Sequence, residues 1–181
     1  LTHNGFQHLN IFTNIAFVFL GILAYYVIYK KNKKVTKSEL ILIILFIGIG
    51  VGSFMWHSMS SRLSDLVDTL LIILFALTSL TLLTKKLIRQ KIARWISIIS
   101  ILGIALLLEQ LPYLNGSLVY VLLLLLLIFV SVSLFKNKNH SYIYFKNASI
   151  FFILGIIART IDIQTCKILS IGTHFLWHIF V

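Results

Sequence analysis

The chain has 181 residues, 59% of them hydrophobic and only 12% charged, with a mean hydropathy of +1.00. A soluble domain of this size has too little interior for that much apolar surface, so composition excludes a soluble globular class and points to a polytopic helical membrane protein. The net charge of +11 would suit a nucleic-acid binder, but the basic residues lie in short loops between apolar runs rather than on one folded face, which excludes that partner.

Taken in order, seven apolar runs stand out, at roughly 11–29, 40–56, 66–83, 92–108, 118–135, 145–163 and 169–181. The first six approach the ~20 residues needed to cross ~30 Å of hydrocarbon. The seventh is shorter and stops inside an apolar run at Val181, and the chain begins at Leu1 without a Met, so one or both ends are expected to continue. The N-terminus lacks the basic region of a secretory signal peptide, and its first apolar run is long enough to span. The expected fold is all-α, a single seven-helix transmembrane domain over residues 1–181. Short connections make neighbouring helices antiparallel.

The loops set the orientation. Lys30, Lys31, Lys33, Lys34 and Lys37 follow span one; Lys85, Lys86, Arg89, Lys91 and Arg94 follow span three; Lys136, Lys138 and Lys146 follow span five. These are 13 of the 16 basic residues, and all fall on one side, which the positive-inside rule makes cytoplasmic. The N-terminus is then outside and the C-terminus cytoplasmic. In that frame His57 ends span two on the outer side and Asp68 begins span three there. Arg159 and Asp162 end span six, and His174 and His178 open span seven, in the same leaflet. Loop charges carry no information about these residues, so the agreement is independent support for one site.

Each residue type has a chemistry. His174 and His178 are four apart and share one helix face. With His57 they would supply three imidazoles, the ligand number of a catalytic zinc that keeps one open position. Ser53 lies one turn before His57 on the same face, and Asp68 sits about a turn into the next helix. A carboxylate there can manage a proton, and a hydroxyl can donate to a developing oxyanion. Ionisable groups inside a membrane are functional by default. Blander readings stand beside this one. A histidine near a helix end can be an interfacial polar residue, and histidine pairs also hold haem. Asp65 fits a helix N-terminal charge, and Trp56 and Trp177 fit an interfacial aromatic belt. The lone Cys166 excludes an internal disulfide or a thiolate metal cluster and is read as packing. His3 and His8 lie on the outer side without a required role, His140 is a solvated loop residue, and Glu109 is a surface charge. Gly48 and Gly52 form a small-residue face that lets another helix approach near Ser53.

These stretches resemble the alkaline ceramidase family, within the wider superfamily of seven-span metal-dependent hydrolases that also holds the adiponectin-receptor-like proteins. The pattern is Ser-x3-His, an Asp eleven residues after the His, and His-x3-His in the last span: Ser53, His57, Asp68, His174 and His178. Gly52-Ser53-Phe54-Met55-Trp56-His57-Ser58, Arg159-Thr160-x-Asp162-x3-Cys166 and Gly172-Thr173-His174-Phe175-Leu176-Trp177-His178 look like the bacterial ceramidase-domain branch. The short His-to-Asp spacing sides with ceramidases over the adiponectin-receptor-like relatives. The resemblance implies a zinc-dependent amide hydrolase that cuts a ceramide-like lipid to a long-chain base and a fatty acid. It implies Zn²⁺ held by His57, His174 and His178, Asp68 handling the proton, and Ser53 stabilising the transition state. Arg159 with Asp162 would meet the lipid head group. Eukaryotic members carry an acidic N-terminal calcium site. The stretch Thr2-His3-Asn4-Gly5-Phe6-Gln7-His8-Leu9-Asn10 has no carboxylate, which puts Ca²⁺ in doubt.

The expected partner is a lipid amide arriving sideways from the bilayer. The expected location is a bacterial plasma membrane with the site toward the outer leaflet. No oligomeric state follows from the sequence. The competing functions are an adiponectin-receptor-like lipid sensor with weak or no hydrolysis and a haem-binding electron carrier, in which Ser53 and Asp68 have no role. Transport is opposed by the absence of polar groups near the midplane.

Overall fold

The computed structural model describes residues 7–59, 61–87, 99, 103 and 116–181, and among these the regular structure is helical, without a strand. The helices are α1 (Gln7–Asn32), α2 (Lys37–Met59), α3 (Arg62–Leu87), α4 (Leu118–Lys136), α5 (Tyr142–Thr165) and α6 (His174–Phe180). Apart from residues 99 and 103, the expected fourth span lies outside the described residues, as do His3 and Glu109.

Among the described residues, four helices are long and apolar enough to cross a membrane: His8–Asn32, Lys37–Met59, Arg62–Leu82 and Tyr142–Thr165. The apolar helix Tyr120–Lys136 is shorter. Their surfaces carry large exposed apolar side chains such as Phe12, Phe19, Ile44, Leu125, Phe151 and Ile157. In water such a surface would be a liability; in hydrocarbon it is the solvated face. The helices overrun the expected spans by a few residues at most ends, because caps rather than hydropathy decide where they start and stop. At the start of α2, the Thr36 N–H donates to Glu39 Oε2 (2.8 Å) while the Glu39 N–H donates to Thr36 Oγ1 (3.3 Å). This capping box satisfies N–H groups that have no partner within the helix. At the end of α4, Lys138 adopts a left-handed φ of 53° and the Asn139 N–H returns to the Leu134 carbonyl (3.0 Å), a Schellman-type stop.

The chain forms two compact units, Leu1–Thr78 and Ser79–Val181. In the first, Phe46 of α2 packs against Phe17 of α1 (ring centroids 5.3 Å apart) and Phe75 of α3 (5.5 Å). The glycines of α2 set how near its neighbours come. A Cβ on Gly50 would meet the Asn14 carbonyl oxygen of α1 at 3.0 Å. One on Gly52 would meet the Asp68 Cα of α3 at 3.3 Å, and one on Gly48 would meet Leu71 of α3 at the same distance. The expected small-residue face is therefore real, and α3 is the helix it admits.

In the second unit Leu80, Val130 and Leu134 form a buried cluster, with Leu126, Tyr142 and Phe145 against it. The last helix departs from expectation: it begins at His174, and residues 166–173 form turns instead of the first part of a span opening at 169. Hydropathy counts Leu169 and Ile171 as span, but they are exposed on the turn, as is Ile168 before them. The Ile168 and Leu169 N–H groups both fold back onto the Thr165 carbonyl, and Gly172 has a positive φ of 64°.

Candidate active site

In the first unit lie Ser53, His57 and Asp68. Ser53 and His57 lie one turn apart on α2 and are 5% and 7% exposed. Asp68 is 8% exposed, which decides against reading it as a solvated helix-start charge. The start of α3 is capped by other residues. The Ser61 N–H donates to Ser64 Oγ (3.2 Å), the Ser64 N–H donates to Ser61 Oγ (3.1 Å), and Asp65 lies in the first turn. Asp68 falls beyond that turn, at the level where Gly52 lets the α3 backbone approach α2. A hydroxyl, an imidazole and a carboxylate are thus buried in membrane-type helices. Burying such groups is costly unless they are paired with other groups or a metal.

In the second unit lies the histidine pair. His178 is buried and His174 half-buried, and their rings meet edge to face with centroids 5.0 Å apart. A tetrahedral zinc with Zn–N distances near ~2.1 Å would hold two imidazole centres roughly 5 Å apart, so the pair fits one metal ion. Imidazole is a donor type that zinc accepts readily.

The surroundings of the pair are built from α5. Asp162 Oδ1 accepts the Thr173 N–H (2.7 Å) and the His174 N–H (2.9 Å). The Thr173 hydroxyl does not cap its own helix; it donates across to the Ala158 carbonyl (2.7 Å). Gly172 passes so near that an added Cβ would collide with Asp162 Oδ1 and with Cys166 Sγ. Trp177 is buried, packed on Tyr120 of α4 (4.6 Å) and Phe152 of α5 (5.8 Å). This overturns its reading as a belt aromatic: the ring fills the unit's interior. The half-buried Arg159 guanidinium lies over the Tyr120 ring (5.1 Å) and the Trp177 ring (5.5 Å), a cation–π arrangement. Cys166 is half-buried with Sγ 3.8 Å from Asp162 Oδ1. Burial pushes its thiol above the ordinary range, and the neighbouring Asp162 carboxylate pushes it further.

Within the first unit, then, the α2 residues Ser53 and His57 and the α3 residue Asp68 are each buried; within the second, His174 and His178 are adjacent and Asp162 holds their helix. Sequence reasoning missed the cap by Asp162 and the Thr173 staple, although Gly172-Thr173 before the pair is a helix-start signal. It also missed two buried asparagines in α1: Asn14 is 1% exposed, and its amide donates to the Asn10 carbonyl (2.8 Å). Two polar residues on one face of an apolar span are a legible signal for a contribution to a buried polar region.

A family model described as Ceramidase matches residues 6–181. No curated protein and no solved structure matches the chain.

Proposed function

The chain belongs to the Ceramidase family, and from that premise we propose that it is a zinc-dependent intramembrane amidase, one hydrolase domain cutting a ceramide-like lipid into a long-chain base and a fatty acid. Family and apolar helices together make it a membrane protein of the ceramide-hydrolysing class. The observation that carries the finer reading is that the family match spans every motif residue, from Ser53 to His178, and that these residues are buried or half-buried instead of solvated.

In this reading His57, His174 and His178 hold the metal through imidazole nitrogens. Zinc, when bound, supplies Lewis acidity that activates water near neutral pH and polarises the amide carbonyl. Asp68 takes the proton of the attacking water and returns it to the leaving amine nitrogen. Ser53 donates its hydroxyl hydrogen bond to the carbonyl oxygen as that oxygen gains charge. Burial strengthens both contributions, because water does not screen them. Arg159 is kept for the lipid head group; Asp162 has Oδ1 engaged with backbone N–H groups and is left out of that role. In this reading the site faces the outer leaflet of a bacterial plasma membrane, an orientation that the loop charges support, and the lipid amide enters sideways from the bilayer.

The test is purified protein in lipid nanodiscs. One zinc per chain is expected, with ceramide hydrolysis that a chelator abolishes and added zinc restores. His174→Ala should lose both metal and turnover. Protein without stoichiometric zinc, or a His174→Ala variant that keeps it fully, overturns the zinc reading. Zinc-loaded protein inert toward a panel of lipid amides would leave the lipid-sensing alternative standing.

A further inference from the structure

We propose that Asp162 is the positioning residue of the histidine pair: through the Thr173 and His174 N–H groups its carboxylate fixes where α6 begins, and hence where both imidazoles point. The proposal rests on the reading of His174 and His178 as metal ligands.

A helix start leaves its first N–H groups without partners inside the helix, and a residue at the cap position ordinarily supplies one. Here that residue, Thr173, spends its hydroxyl on the Ala158 carbonyl. The cap comes instead from eleven residues back: one Asp162 oxygen accepts two successive N–H groups at 2.7 and 2.9 Å, the second belonging to His174 itself. Gly172 makes the approach possible, since its positive φ and missing side chain leave room for the carboxylate and the Cys166 sulfur. Downstream, Trp177 locks α6 between Tyr120 and Phe152. If the chain slid by one residue against the Asp162 carboxylate, each histidine would turn by about 100°, off the face it needs.

Two measurements test this, one of which needs no metal. In metal-free protein, amide hydrogen exchange at Thr173 and His174 should be slow, should speed up about tenfold in Asp162→Ala, the size expected for one lost hydrogen bond, and should stay near wild type in Asp162→Asn, which keeps an accepting oxygen. Zinc affinity, measured by chelator competition with zinc alone, should fall about 10- to 100-fold in Asp162→Ala and in Gly172→Ala, and stay within a few-fold in Asp162→Asn. Unchanged exchange in Asp162→Ala overturns the proposal. Equal zinc loss in the Asn and Ala variants overturns it too, since charge and not the cap would then matter. If Asp162→Ala does not fold, Asp162→Asn and Gly172→Ala decide by the same two readouts. If wild-type protein binds no zinc, the metal reading falls, and hydrogen exchange still decides the cap.

Discussion

Asp68 shows how much burial adds to residue type. An acid near a helix start is commonly a solvated charge, but this one lies beyond the first turn and is 8% exposed. If it moves the reaction's proton, Asp68→Asn should cut turnover by about 10²- to 10⁴-fold while leaving zinc content intact, since the amide cannot take the proton and was never a ligand. A hydrolysis assay beside metal analysis reads both; loss of zinc in that variant would make Asp68 a ligand instead. Cys166 gives a second prediction. Its pKa is raised by burial and then by the Asp162 carboxylate, so at any pH less of it is thiolate than at an exposed cysteine. Alkylation should therefore keep accelerating with pH past the region, about 8.5, where an ordinary thiol is half ionised. Asp162→Asn removes the charge but not the burial, so the midpoint should move only partway down. A wild-type midpoint at or below the ordinary value refutes this account.

At the scale of elements, glycines and caps matter more than hydropathy. Gly48 and Gly52 both face Leu71 of α3, but Gly52 faces the α3 backbone as well. A methyl on Gly48 meets Leu71 side-chain carbons alone, whereas one on Gly52 meets Leu71 Cδ1 at 3.0 Å and the Asp68 Cα at 3.3 Å, and a Leu71 rotamer change relieves only the first. Gly52→Ala should push α3 away, carry Asp68 with it, and cost about 1–3 kcal/mol of overpacking, with a larger loss of turnover than Gly48→Ala. Thermal unfolding and kcat measured side by side check it; equal effects of the two would remove the special role of Gly52. The same logic explains the late start of α6. Leu169 and Ile171 look like span, but the cap from Asp162 and the positive φ of Gly172 make them turn.

For the whole molecule, orientation is the property that the loops carry. The basic residues cluster after spans one, three and five, and the described ones at those turns, such as Lys33, Lys34 and Lys138, are exposed. In a Cys166→Ser background, Lys34→Cys and His140→Cys should react with a membrane-impermeant maleimide only from the cytoplasmic side. Labelling from outside would invert the topology and move the site to the other leaflet.

By itself the sequence determined the helical membrane class, the positions of the described spans to within a few residues, and the residue types of the site. Those follow from composition and periodicity, which are local and additive. The His174–His178 pair and the Ser53–His57 pair were legible for the same reason, because a spacing of four is a helix face. Tertiary structure alone decided that Trp177 is interior, that Gly52 admits the Asp68 backbone, and that Asp162 serves as the cap of a helix beginning twelve residues later. Each of these depends on which atoms meet when separate helices pack, and no local pattern records that meeting.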